Sequence, residues 1–262
     1  MTRIGLLAVG LALTMPVLSQ VVVLPGPPDT TDFQGWFSAT LDWKPVDGLK
    51  VELQEQWRIK HDWGAYDRQI HQLGVSWSPE WNGFSDAQHI GAAARVMTRL
   101  DNTGENQGIE RFFRWHVEHG AEVEFDRLAI ESRVRYQNRT ALWLKDGDDP
   151  SELMAKEVWR LKGTLSYNFK NWKLDPKITV ERFFRVVPDE WPTDGAWRAR
   201  IGTDFKPGKR QRIKVMLQRE WKGKYTPTGL TTSLDDFRLF GDNEWAFLIG
   251  YRYRMKTQRK ED

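Results

Sequence analysis

Residues 49–60 read LKVELQEQWRIK, and the alternation in this stretch decides the fold. Leu49, Val51, Leu53, Trp57 and Ile59 hold the odd positions, with Glu55 as the polar interruption. Lys50, Glu52, Gln54, Gln56, Arg58 and Lys60 fill the even ones. A side-chain period of two marks a β-strand with one wet and one apolar face. The length says more, because about twelve residues is twice the usual globular strand of about five or six. A tilted strand needs about 9 to 11 residues to cross a bilayer.

The pattern recurs along the chain, and helical periodicity is hard to find. Strands are expected at about 33–43, 49–60, 69–78, 88–99, 109–124, 128–143, 156–169, 172–185, 196–206, 210–221 and 244–255. The apolar parity runs through Phe37, Leu41 and Trp43, through Leu73, Val75 and Trp77, and through Trp245, Phe247 and Ile249. Between these stand mostly Arg, Lys, Glu, Gln and Gly, as in Glu131, Arg133, Arg135, Gln137 and Arg139. Average hydropathy cancels in such a barrel, so the negative mean hydropathy does not argue against a membrane. Fourteen Trp and thirteen Phe are the material for aromatic girdles at two headgroup levels. Connections after Trp43, Phe125, Phe169 and Phe205 are short, and LKDGDDPSELMAKE and VPDEWPTDG are long, as for a barrel with unequal rims.

The reading is therefore all-β: a single antiparallel transmembrane β-barrel of about 12 strands (10–12), following a cleaved signal peptide. The eleven clear strands make an odd total, which bacterial single-chain barrels rarely show. A twelfth is expected in LTTSLDDFRLF or in VVVL. Arg3, the apolar run Ile4–Met15 and the small residues before Gln20 have the layout of a secretory signal. The expected division is 1–19 signal peptide, 20–32 irregular Pro-rich leader, 33–255 barrel and 256–262 charged tail. The chain has no cysteine, hence no disulfide and no lipidated cysteine. Its net charge of +3 comes from mixed signs, which gives nucleic-acid binding little support. The expected partners are outer-membrane lipid and the barrel-assembly machinery.

The segments DFQGWFSATLDWKPVDGLKVELQEQWRI, VWRLKGTLSYNFKNWKLDPKITVERFF, WRARIGTDFKPGKRQRIKVMLQREW and AFLIGYRYRM resemble the domain of unknown function 2490 family. These are bacterial proteins expected to be outer-membrane β-barrels. The resemblance covers most of the chain after the leader. It rests on diffuse Trp, Glu and Arg placements, and it implies location and fold without implying a reaction.

Candidate chemistry is sparse. Of His61, His71, His89, His116 and His119 only the last two are close in sequence, and three residues apart on a strand puts them on opposite faces. No metal, no cofactor and no catalytic set is expected. The weak enzyme alternative is a barrel-embedded lipid hydrolase with Ser132 as nucleophile and His119 as its diagonal base on the outer wall. The stronger constellation is a ladder of lumen charges: Asp42, Lys50, Glu118, Glu131, Arg133, Arg135, Arg160, Glu181, Asp204 and Arg212. It would either fill the barrel with ion pairs or line a narrow porin-like passage with an anion bias. A secreted soluble barrel that binds a small ligand is the alternative from another class.

Turn lengths give trial registers. A two-residue turn at Asp126 and Arg127 sets Glu118 against Arg135 inward and Val123 against Ile130 outward. A two-residue turn at Lys170 and Asn171 sets Arg160 against Glu181. A three-residue turn at Pro207–Lys209 sets Asp204 against Arg212, and a five-residue turn at Lys44–Gly48 sets Asp42 against Lys50. Glu55, which breaks the apolar parity, is expected near a rim or at a β-bulge.

Overall fold

The computed structural model describes residues 32–79, 88–101, 107–144, 156–170, 172–186, 196–221 and 244–255. All the regular structure in them is strand: β1 (Asp32–Trp43), β2 (Leu49–Lys60), β3 (Ala65–Trp77), β4 (Gln88–Asp101), β5 (Gly108–Phe125), β6 (Leu128–Trp143), β7 (Lys156–Tyr167), β8 (Leu174–Val186), β9 (Trp197–Gly208), β10 (Gln211–Trp221) and β11 (Glu244–Arg254). They close into one ring in chain order. Neighbours pair antiparallel throughout, except that β1 meets β11 in parallel, with Asp32 opposite Glu244 and Asp42 opposite Arg254. Eleven strands complete the ring, one fewer than the sequence suggested. Both segments considered for a twelfth lie outside the described residues. An odd number explains the seam, because strands that alternate in direction return to the start pointing the same way.

The alternation in the sequence becomes an inside-out distribution of polarity. Outward side chains are large and apolar: Leu53 is 54% exposed, Ile201 58% and Trp143 64%. Inward ones include Gln218, Glu181 and Asp42, all at 2% or below. Soluble proteins seldom bury such groups and keep large apolar side chains inside. Here the polar face is inside because closing the sheet leaves no other place for it.

Aromatic side chains gather at the strand ends. Phe169 packs edge-on against Tyr167 and Trp172 where β7 ends, with ring centroids 4.7 and 5.4 Å away. At the other rim the tip between β2 and β3 carries Trp63 across the seam, where it stacks on Phe33 and Phe247 and meets Phe37 edge-on. The tip is built from three successive left-handed residues, His61, Asp62 and Trp63. The Asp62 carboxylate accepts from the Phe33 backbone N–H at 3.2 Å, which ties the tip to β1. The rim after β1, β5, β7 and β9 has mostly short connections, including the two residues between β5 and β6. The connections 144–155, 187–196 and 222–243 all leave from the opposite rim.

The registers test the turn assignments. Between β5 and β6 the expected pairs Glu118 with Arg135 and Val123 with Ile130 are present. The other three hairpins keep the expected faces but slip by two residues. Lys162, in place of Arg160, stands opposite Glu181, because β7 ends at Tyr167 and β8 starts at Leu174, a wider connection than two residues. Lys214, in place of Arg212, stands opposite Asp204, because β9 runs on through Gly208 and the pairing shifts between Gln211 and Ile213. Glu52, in place of Lys50, stands opposite Asp42, because Leu49 and Lys50 pair with Trp77 and Ser76 of β3 before β2 engages β1. Slips of two preserve the parity, so no side chain changes face.

Glu55 is at neither a rim nor a bulge. It pairs regularly with Ala39 and His71 in the middle of β2, and the bulge between β2 and β3 lies further along, at Arg58 and Ile59.

Candidate functional site: the charged lumen

The even parity of β1 and β2 and the matching parity of the other strands aim their polar side chains into the ring. Two zones result. In the half nearer the long connections the lumen is packed. Trp36 lies under the Arg58 guanidinium, 3.7 Å from its ring centroid, and Arg198 stacks on Phe183 at 4.7 Å. Ile70, Met97, Phe112 and Ala141 form a small buried apolar cluster beside them. Glutamine amides complete the layer, since an Arg donates to the Gln side chain on its neighbouring strand. Arg160 donates to Gln137 at 3.1 Å, Arg200 to Gln218 at 2.8 Å and Arg95 to Gln72 at 3.0 Å.

Glu181 is the hub of this half. Its carboxylate accepts from Arg160 at 2.6 Å and Arg198 at 3.3 Å, with Arg133 at 3.8 Å. Glu118 is a second centre, held by Arg135 at 2.5 Å and Arg133 at 3.4 Å. Arg133 thus links the two carboxylates. Removing water from an ion pair costs about as much as the attraction returns unless further hydrogen bonds complete the geometry, and these shared guanidinium donors supply them.

In the half nearer the short turns the lumen opens into a cavity of about 450 Å³. Glu131 pairs there with Lys162 at 2.7 Å. Asp204 lies between Lys177 at 2.9 Å and Arg212 at 3.5 Å. Arg252 reaches across the seam to Asp42 at 3.0 Å and to Glu52 at 3.2 Å, and Lys50 is 3.6 Å from Glu52. The lining carries eight Lys and Arg against five acids, so its field favours anions.

All ten residues singled out from the sequence face this lumen, but with partners that parity alone did not supply. Asp42 is held by Arg252 from the far end of the chain, where Lys50 had been expected. Arg160 meets Glu181 diagonally. Lys162, Lys177, Lys214, Gln137, Gln218, Glu52 and Trp36 are among the members the sequence reading did not pick. Their inward parity was visible; their pairing depended on register.

Elsewhere the chemistry is thin. His116 is buried facing inward, 3.8 Å from Glu118, while His119 is exposed on the outer wall near Gln88 at 3.4 Å. Ser132 stands opposite Ala121, diagonal to His119, in a shallow outer notch shared with Gly163, Val180 and Trp197. Among the described residues no group of three or more His, Cys, Asp or Glu side chains is arranged to hold a metal ion.

Shape and site together define a class: a closed β-barrel with an apolar exterior and a charged interior that is packed in one half and hollow in the other. No family model matches the chain, and no curated protein or solved structure matches it either.

Proposed function

We propose that the protein is an outer-membrane β-barrel of a Gram-negative bacterium, with a lumen closed by its Arg, Gln and Glu layer and a structural rather than a conducting role. One observation carries this: large apolar side chains cover the outside while Glu181, Asp42 and Gln218 are sealed inside. A soluble ligand-binding barrel has the opposite polarity, since its interior must supply the hydrophobic core. An exterior of this kind is stable only against another apolar phase. The segments that resemble the domain of unknown function 2490 family lead to the same reading, with outer-membrane lipid and the barrel-assembly machinery as partners.

The cationic cavity favours a second reading, a narrow porin-like path for small anions. One preparation separates the two. Folded in detergent, the protein should migrate faster unheated than boiled. In planar bilayers it should give no steady conductance. Steady, anion-selective current would establish the second reading; folded protein recovered without detergent would favour the soluble barrel.

The protein is not proposed to be an enzyme, because the neighbours of Ser132 and His119 on β5 and β6 are the apolar Ala121, Val123, Ile130 and Val134, and the His119 Nε2 lies against the Gln88 amide oxygen at 3.4 Å rather than against Ser132. Purified barrel should release no fatty acid from phospholipid vesicles. Release that Ser132→Ala abolishes would establish the lipid hydrolase.

A further inference from the structure

At mid-height the outward row of β1, β2 and β3 reads Ala39, Glu55 and His71. The Glu55 carboxylate pairs with His71 Nδ1 and accepts from Gln69 Nε2 at 2.7 Å. At similar height the row of Leu217 and Ile201 is apolar, and the row of Val134 and Leu161 carries His119 and Arg182 at its two ends but no acid, so Glu55 is set apart by its charge. An acid and an imidazole in the middle of a lipid-facing wall are costly, and such groups mark contact with something other than acyl chains. Ala39 stands beside Glu55 and Ala94 lies diagonal to His71, two small residues that leave gaps in the wall among Leu53, Leu73 and Val96. Small residues let two membrane surfaces approach closely enough for polar side chains to meet.

We infer that this wall is where a second copy of the chain docks, with Glu55 of one barrel meeting His71 and Gln69 of the other. The choice of partner comes from the order of the groups. An acceptor sits directly beside two donors, so a twofold axis through the row brings each Glu55 to the other copy's donors, and the patch complements itself. The inference rests on the membrane reading above.

The chain has no cysteine, so single cysteines report without interference. Ala39→Cys and Ala94→Cys, treated with a short bismaleimide in native membranes, should give a band at twice the monomer mass. Ile201→Cys, equally lipid-facing on β9, should give none. In the Ala94→Cys background, Glu55→Leu with His71→Leu should abolish the band while the monomer stays heat-modifiable, which shows that the barrel still folds. Three results would overturn the inference alone: no dimer from a heat-modifiable barrel, equal linking at Ile201→Cys, or a product of another mass. Folding without detergent would remove the membrane reading, and this inference with it.

Discussion

Glu181→Ala is expected to destabilise the barrel by about 3–5 kcal/mol, the cost of breaking a buried ion pair by removing one partner. The side chain is 1% exposed and serves Arg160, Arg198 and Arg133. Its loss leaves Arg160 with the Gln137 amide as its hydrogen-bond partner, while Arg133 keeps Glu118 and Arg198 keeps Glu220 at 2.6 Å. The midpoint of urea unfolding in lipid vesicles should fall accordingly. Glu181→Gln should recover part of the loss, because the amide oxygen still accepts while the charge is gone. Asp47, exposed in the turn between β1 and β2, is the control, and its replacement by alanine should leave the midpoint unchanged. A midpoint unmoved by Glu181→Ala would mean that the layer is maintained by packing of Trp36 and Phe183 rather than by its charges.

If the apolar face meets lipid as proposed, Leu53→Arg should cost about 2–4 kcal/mol in the same assay, the penalty for a cation facing acyl chains near the midplane. Gln54→Arg, one residue along, should stay within about 0.5 kcal/mol, since Gln54 faces the cavity and loses only a 3.3 Å hydrogen bond to Thr40. The contrast matters more than either value. Equal damage at both positions would mean that the two faces of β2 are not lipid and lumen.

These two experiments probe what was legible from the sequence and what was not. The faces of β2 could be read from LKVELQEQWRIK because a strand repeats every two residues and needs no knowledge of its neighbours. Glu118 with Arg135 could be read as well, because the two-residue turn at Asp126 and Arg127 leaves no slack. The other hairpins slipped by two for local reasons: a wide connection after Tyr167, a shift beyond Gly208, and a β2 that begins on β3 before it meets β1. Asp42 with Arg252 lay beyond reach, since nothing local tells a strand that its partner is the last one. Glu55 was visible as an exception to the parity, but its mid-height position came only from the ring.

The parallel seam between β1 and β11 has a consequence for the sidedness of the chain. A path that crosses a boundary an even number of times ends on the side where it began. This one crosses eleven times, entering the ring at Asp32 on the rim of the long connections and leaving at Arg254 on the rim of the short turns. If the ring sits in a membrane, its first and last strands open into different compartments. A fusion ahead of β1 and one behind β11 would therefore sample different solvents, and the cationic cavity would share its compartment with the second of them.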